Sequence, residues 1–186
     1  MEMIQKLKEK THELHEQVEA QNLANQIMDH SIDLETYKLL LLQNFLAYKA
    51  TETAIKQFLP GFNGRKHQQL QQDLEQLGVT SQTFSINDIF ECHSKAEALG
   101  AAYVVEGSAL GGMLLAKNLR KCEQLASVDQ HHFFNGDKEN LKEWNSFKAL
   151  IEQYEFSQAE EIEALEKAPE TFRFFKSIFN RKFVLN

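Results

Sequence analysis

The sequence has few cysteines, few prolines, little basic charge and no long apolar run. Its two cysteines, Cys92 and Cys122, have no metal-ligand spacing and are too few for a disulfide-rich secreted scaffold, so both are predicted to be reduced thiols. The formal net charge of -7 argues against a nucleic-acid binder, which needs a basic face for phosphate contacts. The leucine run 39–42 is far shorter than a membrane span, so no membrane association is predicted.

The chain also lacks a secretory signal and a strand pattern. The N-terminal sequence MEMIQK has no apolar stretch, which predicts a cytoplasmic protein. A length of 186 residues with 42% hydrophobic residues predicts one domain covering residues 1–186. Because apolar residues recur at helical spacing and no useful segment alternates with period two, we predict an all-α fold of roughly seven or eight helices.

Apolar spacing and capping residues predict where these helices lie. A polar helix at residues 65–77 has a narrow apolar face and is expected to be peripheral. The adjacent histidines His131 and His132 are expected in a surface loop, and Pro169 is expected to kink or restart the last helix. The other predicted helices are an N-terminal helix striped by Ile4, Leu7, Leu14 and Val18, a short helix at residues 22–30, a long helix at residues 34–58, a helix at residues 95–122 opened by Ser94 and Glu97, a helix that starts at Gly136, and a last helix opened by the capping box Ser157–Glu160.

The most unusual stretch is YVVEGSALGG at residues 103–112, which places three of the eight glycines inside a helical pattern. These are Gly107, Gly111 and Gly112, and Gly100 lies just upstream. Each glycine inside a helix costs about 1 kcal/mol relative to alanine, so the cluster needs an explanation. Either another helix crosses closely here, or a flat ligand lies against a backbone without side chains.

The first helix carries a polar edge that bears on this choice. Glu19 lies one turn beyond His15, and Lys8 lies two turns before it, about 10 Å along the axis. A half-buried structural histidine and a solvated helix face are the alternatives for these residues. If a planar ligand lies between the two helices, haem fits, with His15 as its axial ligand. Glu19 could then accept the Nδ1 proton and leave Nε2 for the iron, while Lys8 could pair with a propionate.

Both helices resemble those of the haem oxygenases, in particular the bacterial, biliverdin-forming branch. Residues 7–19 are similar to the proximal helix of that family, and His15 matches its axial ligand. Residues 103–112 are similar to the bacterial distal helix, in which Tyr103 matches a tyrosine on the propionate side. Ser108 stands where mammalian-type members have an aspartate. Further similarity runs through residues 133–147 and 171–172, so the resemblance extends over most of the chain.

The resemblance implies a single-domain haem-oxygenase-like fold, with haem clamped between a proximal N-terminal helix and a glycine-kinked distal helix. It implies cleavage of haem at a meso carbon to biliverdin, CO and iron, with O2 and electrons from an external reductase or ferredoxin. Histidine supplies less electron push than a thiolate, so the oxygen is expected to attack the macrocycle. The residues that match catalytic positions are Gly107, Ser108, Gly111 and Gly112, and those that match haem-binding positions are Lys8, His15, Glu19 and Tyr103.

Three other functions compete with this interpretation. A haem carrier of the same fold would use the same residues without degrading its ligand. A di-iron carboxylate bundle is suggested by the pair Glu9 and His12, but it needs a second Glu-x-x-His motif that the sequence lacks. A non-catalytic helical protein that binds a partner would use the glycines only as a packing notch.

Overall fold

The computed structural model describes residues 2–185, and this part of the chain is helical, with turns and loops but no strand. The predicted all-α fold is thereby confirmed. Met1 and Asn186 lie outside the described residues, and a single domain over residues 1–186 stays a proposal. The described helices are α1 (Met3–Gln21), α2 (Asn25–Met28), α3 (Leu34–Phe58), α4 (Lys66–Gln76), α5 (Lys95–Gly107), α6 (Ala109–Leu119), α7 (Lys138–Gln153) and α8 (Gln158–Phe179), with short 3₁₀ turns at Ser81–Thr83 and Glu123–Leu125.

Capping residues begin helices α5 and α8 largely as the sequence indicates. At α8, the Ser157 hydroxyl accepts the Glu160 N–H, and the Glu160 carboxylate accepts the Ser157 N–H, so the predicted capping box is present. At α5, the Ser94 hydroxyl accepts the Glu97 N–H at 3.0 Å. The Glu97 carboxylate accepts the N–H of His93 instead of that of Ser94, so only half of this predicted box forms.

The core is built around α3, which α5 and α8 cover while they also pack against each other. The two helices α5 and α8 approach each other closely at Gly100. A Cβ atom at this position would lie 2.3 Å from the carbonyl oxygen of Ala164, so any side chain here would force the backbone of one helix to shift. Gly100 is therefore the glycine that a close helix crossing explains.

The predicted helix at residues 95–122 is two helices, because the helical pattern is interrupted at Ser108 and ends at Leu119. The Ser108 hydroxyl donates to the carbonyl of Val105 at 2.8 Å. The carbonyl of Ser108 still accepts the N–H of Gly112 at 2.9 Å, so the interruption is limited to one residue. The break thus lies at a serine that bonds back into the preceding turn, with the glycines on either side of it.

The last helix passes through Pro169 without a restart. We expected a kink or a restart there; α8 is continuous from Gln158 to Phe179, so the restart is excluded and the kink stays a prediction. Proline removes one helical hydrogen bond and crowds the preceding turn. Tertiary packing outweighs this penalty, because α8 buries an apolar stripe against α1, α3 and α5 that includes Ala164, Ala168, Phe172, Phe175 and Ile178.

The polar helix α4 packs mainly against α3, and its buried face is more polar than its apolar pattern indicates. It buries Lys66 and Asp73 as well as two leucines. The Asp73 carboxylate accepts the N–H groups of His132 and Phe133 at 2.7 and 2.9 Å, and burial raises the pKa of this carboxyl. Narrow apolar patterning failed as a guide here because the buried face of α4 carries charged groups with partners.

The histidine pair lies in a loop as predicted, but neither ring is fully exposed. The Nδ1 atom of His131 is 2.7 Å from the hydroxyl of Tyr37, which is buried in α3. The predicted reduced thiols are confirmed, since Cys92 and Cys122 are both free and buried.

The α5–α6 segment, Lys95–Leu119, has the length and mean hydropathy of a membrane span. Half of its most apolar window is buried inside the protein, as in the core helix of a soluble domain. The absence of membrane association stays a prediction.

Candidate active site

His15 projects from α1 with about half of its side chain, 52%, exposed. Its ring meets the ring of Phe172 in α8 edge to face, with 5.6 Å between centroids. Such contacts fix the plane of a ring, and the free ring edge remains open to solvent. His15 is thus half buried against Phe172 and half open to solvent, which fits both a metal ligand and the half-buried structural histidine that the sequence left as an alternative.

The Glu19 carboxylate lies next to the His15 ring, as predicted, but it is near the other ring nitrogen. Its Oε1 atom is 3.5 Å from Nε2 of His15, whereas the prediction had it accept a proton from Nδ1. Side chains on a helix lean toward its N-terminus, so a carboxylate at i+4 reaches the outer edge of the ring first. Lys8 is exposed on the same helix, and so is His12, whose Nε2 is 3.5 Å from Glu16.

Tyr103 brings the two predicted walls of the site together. Its ring packs on Trp144 of α7 at 5.9 Å between centroids, and its hydroxyl lies beside the side chain of Thr11 in α1. Burial raises the pKa of the Tyr103 phenol, and the Thr11 side chain opposes that shift. His15 lies one turn beyond Thr11, and Gly107 one turn beyond Tyr103, so each is about 6 Å along its helix from this contact.

The glycines at the break face open space, in contrast to Gly100. A Cβ atom at Gly107 would meet only the ring of Trp144 at 3.8 Å, an ordinary contact distance. Cβ atoms at Gly111 and Gly112 would have no neighbour within 4 Å among the residues that the structure describes. Helix packing therefore does not explain these three glycines, and backbone exposed to a ligand remains as their explanation.

The surface around these glycines is apolar. Leu110 and Leu114 of α6 are 58% and 52% exposed, on the same segment as Gly111. An exposed apolar face next to bare backbone suits a flat apolar ligand, because both would leave water when it binds. The half-exposed imidazole of His15 on α1 can bind a metal, and the exposed ammonium of Lys8, two turns away, can pair with a carboxylate. Haem contains all three matching groups: an iron, a flat apolar macrocycle and two propionate carboxylates. The residues of the site therefore fit haem, the ligand that the sequence predicts.

Ser108 is held from behind by a residue that sequence analysis did not identify. The hydroxyl of Tyr48 in α3 donates to the Ser108 hydroxyl at 3.0 Å. Burial raises the pKa of Tyr48 far above its usual range, so its proton stays in place. Two further unpredicted residues, Lys66 and Glu106, form a buried ion pair at 3.0 Å next to the break. The signal for Glu106 was a lone acid inside the apolar run AAYVVEG.

Two open grooves lie elsewhere on the surface. One, of about 780 Å³, lies between the end of α6 and the loop at residues 120–135, and the other, of about 610 Å³, lies between α3 and residues 84–93. Neither groove is lined by His15 or by the glycines at the break. Residues 2–185 also contain no group of three potential metal-ligating His, Cys, Asp or Glu residues, so nothing in this range supports the di-iron alternative.

Comparison with known proteins decides the family. A sequence model of the heme oxygenase family matches residues 1–181. The heme oxygenase of Xanthomonas campestris pv. campestris is 30% identical over 150 residues, which cover 77% of this chain and 88% of that protein. The chain belongs to the haem oxygenase family. This haem oxygenase is also 32% identical to the heme oxygenase PigA of Pseudomonas aeruginosa over 90 residues, 48% of this chain and 46% of that protein.

Solved structures confirm the haem oxygenase fold. The heme oxygenase of Neisseria meningitidis, solved with NO and CO bound, superposes with a TM-score of 0.75 at 22% identity, covering 96% of this chain and 90% of that one. The heme oxygenase of Leptospira interrogans gives a TM-score of 0.72 at 17% identity, covering 96% and 98%.

Proposed function

We propose that this haem oxygenase cleaves haem at a meso carbon with O2 and externally supplied electrons, giving biliverdin, CO and iron. The observation that carries the proposal is the bare backbone at Gly111 and Gly112, which faces open space one turn beyond Gly107. A partner-binding protein has no need for two glycines that nothing fills. Family membership adds support for the activity.

Haem is the substrate, and its iron supplies the oxygen chemistry when it is bound. On the proximal side we assign His15 as the axial ligand, with its ring plane fixed by Phe172 and one nitrogen near Glu19. Lys8 and Tyr103 are assigned to the propionates. The Lys8 ammonium supplies charge, and the Tyr103 hydroxyl supplies a hydrogen bond close to α1.

On the distal side, the missing side chains at Gly111 and Gly112 let backbone approach the reacting face of the macrocycle. Bulky groups there would push the substrate away or occupy the place of O2. Ser108 presents a hydroxyl that accepts from Tyr48 and donates to the Val105 carbonyl. It can therefore position water for proton delivery only if it releases its bond to Val105 or accepts a further bond.

The first test is a haem titration of the purified protein followed by turnover with a chemical reductant under air. We expect one haem per chain, an imidazole-ligated Soret spectrum, and conversion to biliverdin with release of one CO. A stable complex that never yields biliverdin or CO would support the haem carrier instead. Absence of stoichiometric haem binding would contradict both functions.

A second prediction concerns which meso carbon is attacked, since propionate contacts set how haem is rotated in its plane. We expect Lys8→Ala and Tyr103→Phe to change the ratio of biliverdin isomers while haem affinity changes by less than about tenfold, because burial of the macrocycle supplies most of the binding. Chromatography of the products measures the ratio. Lys10→Ala, an exposed lysine on another face of α1, is the control. Unchanged ratios in both variants would remove these two residues from the propionate site.

An external reductase or ferredoxin is proposed as the electron donor, because members of the haem oxygenase family use redox partners. A cytoplasmic location is proposed from the sequence alone.

A further inference from the structure

A closed ring of polar contacts lies behind the break between α5 and α6. Tyr48 of α3 donates to Ser108 at 3.0 Å. One turn further along α3, the Glu52 carboxylate accepts the N–H of Lys66 at 3.0 Å. The Lys66 ammonium reaches Glu106 Oε1 at 3.0 Å, and Glu106 is two residues before Ser108. The ring therefore ties the end of α5 to α3 in two ways, directly and through the first residue of α4.

Its charged members are buried deeply. Glu52 is fully buried, and Lys66 and Glu106 are 6% and 5% exposed. The second carboxylate oxygen of Glu106 is buried and has no hydrogen-bond partner among the residues described. Burial raises the pKa of the Glu106 carboxyl, and the nearby Lys66 charge only partly offsets this.

Stability alone does not account for such a pair. Removing charges from water is expensive, and replacing a buried ion pair by apolar residues of similar volume is often neutral or stabilising. Here one carboxylate oxygen is also left unpaired, which adds to the unfavourable side. The pair therefore needs a role other than holding the fold together.

The position of the pair indicates that role. Glu106 is in the last turn of α5, and α6 begins at Ala109 and carries Gly111 and Gly112. A helix break needs something to fix its direction, because the continuous hydrogen-bond ladder no longer does so. The contacts that do so come from α3 and α4. Lys66 also lines a small cavity beside Ser108 and Gly112, so its stem lies directly against the break.

We propose that Lys66 and Glu106 are positioning residues, which fix the direction of α6 and with it the distance of the Gly111–Gly112 backbone from the substrate. The statement about the distance to the substrate rests on the proposed function, whereas the statement that the pair fixes the direction of α6 does not. Neither residue is assigned a contact with haem. The ring acts through Ser108 and the first turn of α6.

The test compares Lys66→Met, Glu106→Met and the double variant Lys66→Met/Glu106→Met. Each single variant leaves one buried charge without its partner, so its melting temperature is expected to fall. The double variant buries no unpaired charge from this pair and is expected to regain most of that loss. The control is Lys167→Met, which removes the buried lysine that pairs with Glu97 at the opposite end of α5.

The deciding readout is amide hydrogen exchange at residues 109–112 in the ligand-free protein. We expect exchange there to be about tenfold faster in the double variant than in the wild type, despite its recovered melting temperature, and unchanged in Lys167→Met. Wild-type exchange in a double variant of recovered stability would overturn the proposal, because the pair would then be structural only.

Turnover with haem separates this proposal from the proposed function. If α6 is misdirected, kcat should fall about tenfold in the double variant while haem affinity changes by less than about threefold. Faster exchange with unchanged kcat would overturn the assigned role in catalysis. If the wild-type protein does not degrade haem, the proposed function fails, and the exchange experiment still decides whether the pair directs α6.

Discussion

The His15→Ala variant is expected to bind haem without the imidazole-ligated spectrum and to lose turnover. Disturbing even a supporting contact to a metal ligand typically reduces activity about 10–100-fold, so loss of the ligand itself should reduce haem degradation at least about 100-fold. Folding should be little affected, because the His15 side chain is half exposed. The Soret and visible spectra of the ferric complex measure ligation, and product formation under single-turnover conditions measures activity.

The control for this experiment is His12→Ala, on the same helix and one turn before Glu16. It should leave both spectrum and turnover unchanged. Added imidazole should restore the ligated spectrum of His15→Ala, because the truncated side chain leaves room for the free base. If His12→Ala instead abolished ligation while His15→Ala did not, the axial assignment would be wrong.

Side chains added at the break should separate catalysis from folding. Gly111→Ala is expected to raise the free energy of unfolding of the ligand-free protein by up to about 1 kcal/mol, because alanine favours helix and its Cβ meets no neighbour. Gly112→Leu should also fold. Single-turnover haem decay should nevertheless slow about tenfold or more in both, since each side chain enters the space assigned to substrate and O2.

Gly100→Ala is the matched control, a glycine-to-alanine change on the same apolar segment. Its Cβ would lie 2.3 Å from the backbone of Ala164, so it should destabilise the protein by about 1–3 kcal/mol. Turnover per folded molecule should change less than in Gly111→Ala. Thermal unfolding and haem decay, measured on the same samples, provide the comparison. If Gly111→Ala were destabilised but kept normal turnover per folded molecule, these glycines would have a packing role and not a catalytic one.

The pattern of apolar and polar residues predicted the class of fold and most helices, because this pattern shows which face of each helix is buried and which is exposed. The helical spacing of apolar residues, the cap at Ser157 and the glycines at residues 107–112 are all local signals. The sequence also left two explanations open for the glycines, a close helix crossing and a flat ligand. In the structure, each explanation applies to different glycines. Gly100 lies at a helix crossing, whereas Gly111 and Gly112 face open space.

What the sequence could not predict depends on partners far away in the chain. Lys66 looked like a solvated residue of a peripheral helix, but its partner Glu106 is 40 residues further on. Tyr48 and Ser108 are 60 residues apart. Pro169 predicts an interruption from local chemistry, and only packing against other helices overrules it. The polar groups behind the proposed site are therefore invisible to helical periodicity, which treats a charge as a mark of solvent.

The placement of α8 has a consequence for how this protein is made. Both walls of the proposed site depend on it, because Phe172 supports the ring of His15 and Ala164 receives α5 at Gly100. Contacts such as Lys6 to Glu161 join residues 155 positions apart, and contacts of that separation form late in folding. A ribosome-bound chain that has not yet released α8 therefore contains His15 and the glycines but no fixed gap between them. We expect haem capture to begin only after α8 has docked.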